Sequence, residues 1–67
     1  MRFTAAITRE GDIYVAQCLE VDVVSQGTSA EDAVENLREA LELYFEDVPP
    51  PSVRPPPIIR DVDVRIG

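Results

Sequence analysis

Sixty-seven residues, a formal net charge of −7 and the absence of histidine set narrow bounds on this chain. Its basic residues are six arginines, with no lysine and no cluster among them. Phosphate backbones are bound by neutralising Lys and Arg, so direct nucleic-acid binding is not expected. One cysteine closes no disulfide within the chain, and one thiol without imidazole makes no ordinary zinc site.

No apolar run approaches the ~20 residues of a membrane span. The N-terminus lacks the charged and then apolar pattern of a signal peptide. A lone thiol suits a reducing interior, so the reading is a cytoplasmic protein. The length fits one domain over residues 1–67. A domain of this size buries only about 60% of the surface its unfolded chain exposes. Small scaffolds usually add a staple, and self-association is the route left open here.

Residues 2–9 read as a first strand, with Phe3, Ala5 and Ile7 on one parity. Glu10-Gly11-Asp12 is a turn signal, and residues 13–18 form the second strand of a hairpin. Ile13, Val15 and Gln17 take one side of that strand; Tyr14, Ala16 and Cys18 take the other. A bend over 19–22 leads to a short third strand over 23–26. Gly27 then fits a tight turn, where a positive φ carries little penalty.

A helix starts at Thr28 or Ser29. Both registers offer a capping box, Thr28 with Glu31 or Ser29 with Asp32. Ala33, Val34, Leu37, Ala40, Leu41, Tyr44, Phe45 and Val48 fall along one stripe of the width that packs on a sheet. Pro49-Pro50-Pro51 stops the helix, and residues 49–57 hold all six prolines. That composition predicts a stiff extended arm. Residues 58–66 alternate again and read as a fourth strand. Ile58, Val62, Val64 and Ile66 share a face with Arg60, opposite Ile59, Asp61, Asp63 and Arg65.

The expected fold is therefore α+β, in the order strand–strand–strand–helix–strand, with one helix on one sheet face. A helix between two strands of one sheet favours a right-handed parallel crossover, which places strand four beside strand one. The opposite face has no cover from this chain and is the expected homo-oligomer surface. Exchange of strand four through the proline arm is a second route to a dimer or tetramer.

On the helix, Glu31, Asp32, Glu35, Glu39, Glu42 and Glu46 oppose the apolar stripe. Like charges four apart, such as Glu35 and Glu39, each cost about 0.2–0.5 kcal/mol. Arg38 is the only base among them, within reach of Glu35 and Glu42. This predicts a docking face for a basic partner, formed by Glu31, Glu35, Glu39, Glu42 and Glu46, with Leu43 as an apolar contact. No cofactor and no catalytic residue is assigned. Asp22, Asp61 and Asp63 make no convincing metal site, Cys18 has no activating base, and Tyr14 and Tyr44 read as packing residues.

Three runs resemble a known family. They are Tyr14-Val15-Ala16-Gln17-Cys18-Leu19-Glu20, Val24-Ser25-Gln26-Gly27-Thr28-Ser29, and Asp32-Ala33-Val34-Glu35-Asn36-Leu37-Arg38-Glu39-Ala40-Leu41. Together they look like the HicB-like antitoxin domain. The resemblance implies a truncated ribonuclease-H-like sheet with the same element order. It also implies a non-enzymatic module that masks a HicA-like toxin, a small basic protein that cleaves messenger RNA. It favours Ser29 as the helix cap. Leu19 stands where the family often has proline, which alters the bend locally. The family's frequent C-terminal DNA-binding domain has no counterpart before Gly67, so operator binding by this chain is not expected. The alternative is a free-standing homo-oligomeric binding module with no toxin partner.

Overall fold

The computed structural model describes residues 1–49 and 57–67. Its elements are β1 (Ala5–Glu10), β2 (Ile13–Cys18), β3 (Val24–Gly27) and α1 (Ala30–Asp47). The three strands form one antiparallel sheet in the order β1-β2-β3. One helix follows among the described residues, so the chain is α+β as its sequence predicts.

The hairpin forms because Gly11 turns the chain at φ +62, while Asp12 keeps an ordinary negative φ. A glycine at the first of two loop residues suits the turn whose twist matches the strands it joins. The register pairs Ala5 with Cys18, Ile7 with Ala16 and Arg9 with Tyr14. Tyr14 in turn stands opposite Gly27, and Ala16 opposite Ser25. These residues share the face beneath the helix. Ala6, Thr8, Ile13, Val15, Gln17, Val24 and Gln26 lie on the other face, which nothing covers among the described residues.

The core is the contact between two small sheet residues and the helix stripe: Ala16 and Cys18 against Ala33, Leu37 and Leu41. Phe3, Ala5, Tyr14, Val21, Val23 and Phe45 pack around it. Phe3 stacks on Phe45 with ring centroids 5.3 Å apart, which ties the N-terminal run to the last helical turn. Ala40 is half-buried, whereas Val34, Tyr44 and Val48 at the margins of the predicted stripe are exposed. The helix packs chiefly on β3 and β2 and only marginally on β1.

Two features correct the sequence reading. Gly27 does not have a positive φ. Glycine is needed there because a Cβ would sit 2.5 Å from the Ala33 nitrogen and 2.8 Å from the Asp32 carbonyl carbon. Close approach of β3 to the helix start, rather than turn geometry, excludes a side chain.

The second correction is the fourth strand. Residues 57–67 form no strand, and Ile58, Ile59, Val62, Val64 and Ile66 are all exposed. The alternation is present, but a strand exists only through a hydrogen-bonded neighbour, and among the described residues none engages it. The parallel crossover beside β1 is therefore not formed. The proline-rich arm expected over 49–57 lies, apart from its two end residues, outside the described residues.

Replacing Gly27 with alanine should destabilise the protein by about 2 kcal/mol, because the clash is with the peptide link joining Asp32 to Ala33, which is backbone and cannot rotate aside. Ser29→Ala should cost about 1 kcal/mol through loss of the cap. Urea unfolding followed by circular dichroism reads both, and equal stability of wild type and Gly27→Ala would contradict the close approach.

Candidate functional site

The helix start is built by Ser29, Thr28 and Asp32. Ser29 is the N-cap, and its hydroxyl accepts from the Asp32 backbone N–H at 3.0 Å. The Asp32 carboxylate does not return to the cap residue. It accepts from the Thr28 backbone N–H at 3.0 Å and from the Thr28 hydroxyl at 3.3 Å. Both threonine and serine are thus used, and Asp32 is engaged in holding the β3–α1 junction. Asn36 adds a second tie, donating its side-chain N–H to the Gln26 carbonyl at 2.8 Å.

With about 100° between successive helical residues, Glu31, Glu42, Glu35, Glu46 and Glu39 follow one another around an arc of about 80°. All five are exposed. Arg38 borders this arc on the β1 side. It donates to Glu35 and, at 3.2 Å, to Glu42. Its hydrogen bond and its charge hold the Glu35 carboxyl below the usual glutamate range. Among the described residues Glu31, Glu39 and Glu46 enter no ion pair. The predicted acidic face therefore has two parts: two carboxylates that share the single positive charge of Arg38, and three carboxylates that face water.

The far end of this face is electrostatically unfavourable. The last turn contains no base, while Glu46 and Asp47 stand where the helix dipole is negative. The terminal carbonyl Tyr44 O accepts the Val48 N–H at 3.2 Å, so the end is closed by backbone alone. Leu43, 63% exposed, follows Glu39 by four residues and lies on the β3 side, in line with Asn36. It makes an isolated apolar point beside the unpaired acids.

Cys18 is buried in the core beneath the helix. Tyr14 packs at the core margin with the Arg9 guanidinium 5.9 Å from its ring centroid, and Tyr44 meets Phe45 edge-on. Among the described residues no cluster of three or more carboxylates or thiols gathers to hold a metal ion. None of their helices is long and apolar enough to cross a membrane.

Sequence reasoning missed Glu20. Its carboxylate accepts from the Thr4 N–H at 2.8 Å and from the Cys18 thiol at 3.5 Å, while Leu19 N–H donates to Thr4 O. Glu20 thereby pins the bend over 19–22 to the chain entering β1. The bond from the Thr4 backbone is the main reason its carboxyl lies below the usual range. The only signal in the sequence was an acid at the end of a strand, which distinguishes nothing.

No family model matches the chain, and no curated protein and no solved structure matches it.

Glu20 and Glu35 both have depressed values in the folded protein. Their stabilisation is present above the ordinary glutamate range and is lost as pH falls through that range toward the lower folded values. Glu20→Ala should lower the melting temperature at neutral pH and flatten this acid-side loss, with Glu35 retaining a share. Thermal melts over a pH series read both effects. Glu46→Lys should instead stabilise the free protein by about 0.5 kcal/mol, since it places a cation at the negative helix end. A lower urea midpoint for that variant would show that the helix end is not under electrostatic strain.

Proposed function

We propose that the chain is a non-enzymatic binding module whose exposed helical carboxylates dock a basic protein, acting as the antitoxin for a HicA-like toxin in the cytoplasm. The supporting observation is the row Glu31, Glu39 and Glu46, unpaired among the described residues, beside exposed Leu43. A surface arranged for the stability of the free helix would carry bases in its last turn, and this helix has none there. A partner's arginines or lysines would supply that missing charge.

Masking would proceed by charge and shape. A toxin that holds RNA phosphates through cations presents the complement of this row. Long-range attraction speeds encounter and is screened by salt within about 10 Å at 0.1 M. Apolar contact at Leu43 then slows dissociation, since a few well-placed anchors dominate interface energy. The HicB-like resemblance in the β2, β3 and α1 sequences supplies the identity of the toxin; the charge pattern supports only a basic partner.

A second reading keeps the fold and omits the toxin: a free-standing homo-oligomeric module for another protein or small ligand. The exposed apolar residues of 58–66 favour it.

The test is binding of a small basic HicA-like toxin to wild type and to Glu39→Lys combined with Glu46→Lys. These positions leave the Arg38 pairs and the helix cap intact. The expected result is at least tenfold weaker binding at low salt, with a shallower salt dependence and loss of growth rescue on co-expression. Unchanged affinity at low salt would remove the helix row from the mechanism.

A further inference from the structure

Two open depressions lie along one flank of the molecule. One, about 340 Å³, is lined by Met1 to Ala5 together with Val34, Leu37, Arg38 and Leu41. The other, about 410 Å³, is lined by Ile7, Ala30, Glu31, Val34 and Glu35. Both run between β1 and the helix, on the side where α1 scarcely covers β1. The outer edge of β1 pairs with no strand among the described residues. A strand added there would continue the sheet and lie under exposed Val34, along the depression that Leu37 and Leu41 also line.

Residues 58–66 have the character of that strand. Ile58, Val62, Val64 and Ile66 alternate on one parity and are 69–90% exposed in the single chain. Arg60 shares their parity, and Glu31 and Glu35 line the helical border of one depression. Asp61, Asp63 and Arg65 would face the opposite, solvent-facing side.

We propose that residues 58–66 of a second copy of this chain occupy the β1 edge, each copy giving its segment to the other in a two-fold dimer. Among the described residues of the single chain nothing fills the seat, while the apolar segment 58–66 is exposed. Its core is also small: among the described residues only Ala16, Cys18, Ala33, Leu37 and Leu41 are buried and no large side chain is fully enclosed. Reciprocal exchange fills both seats at once. Two nine-residue strands laid in this way bury surface on the order of the 1,200–2,000 Å² found in stable interfaces. The symmetry is closed, so the apolar segments and the β1 edges are used up and no chain of further copies follows.

The full-length chain carries the test. Sedimentation should give twice the chain mass, and Val62→Asp combined with Val64→Asp should give the single mass with the helical circular dichroism retained. A wild-type monomer overturns the proposal, as does a double variant that remains a dimer. Should the variant lose its helix, a second measurement decides. Light chains carrying a photo-crosslinking side chain at Val62 are unfolded and refolded with an excess of 15N-labelled wild type. The expected products join residue 62 to the β1 peptide of a heavy chain. Products joining residue 62 to β1 of its own light chain, products on the outer sheet face, or no product on β1 overturn it.

Discussion

The molecule depends on how closely one helix approaches three short strands. Ala33 meets Ala16 and Cys18 at the sheet, and the β3–α1 junction leaves no room for a Cβ at Gly27. Small residues on both sides bring the backbones together, so Leu37 and Leu41 reach the sheet although few large side chains are present. The junction hydrogen bonds then fix the helix's rotation. Ser29 caps it, Asp32 holds Thr28, and Asn36 holds Gln26. Once that rotation is set, the outward direction of the carboxylates follows, because residues three and four apart share a face. The acidic row is positioned by packing it takes no part in.

The same rotation separates the two sides of the helix. The β3 side is closed by Asn36 and carries Leu43. The β1 side is open, carries Val34 and Arg38, and overlooks the two depressions. Arg38 pairs with Glu35 and Glu42 on the open side and offsets one of their two charges, which lowers the repulsion along that border. Glu39 and Glu46 are left toward the crest of the helix. Charge is therefore unevenly distributed: partly offset beside Arg38, and unpaired among the described residues at Glu31, Glu39 and Glu46.

Periodicity made most of the fold legible. Alternation around Gly11 gave the hairpin, and the spacing of Ala33, Leu37 and Leu41 gave the buried stripe. Ser29 and Asp32 marked the helix start to within one residue. What the sequence did not disclose were contacts between distant positions: Phe3 on Phe45, Glu20 on Thr4, and the crowding at Gly27. A glycine reads the same whether it serves a positive φ or a close approach. The segment 58–66 shows the limit from the other direction. Its alternation is genuine, yet alternation specifies a two-faced strand and not the edge that pairs with it. For the candidate site, the exposure of Glu31, Glu35, Glu39, Glu42, Leu43 and Glu46 followed from the helical wheel. The division of those acids by Arg38 needed side-chain geometry.

Strand exchange and docking of a basic partner place different demands on one helix, and the division at Arg38 lets both be met. A strand seated on β1 would lie beneath Val34, beside Glu31 and the carboxylates that share Arg38. A partner guided by unpaired charge approaches Glu39, Glu46 and Leu43, away from that seam. Exchange would also change what a partner meets. Two rows related by a two-fold axis present twice the charge, and tethered sites gain affinity when a partner spans both. A partner too small to span them would bind each row independently, and its stoichiometry would be one per chain. A dimer of this design is then a means of completing the sheet first, and of setting the spacing between two acidic rows second.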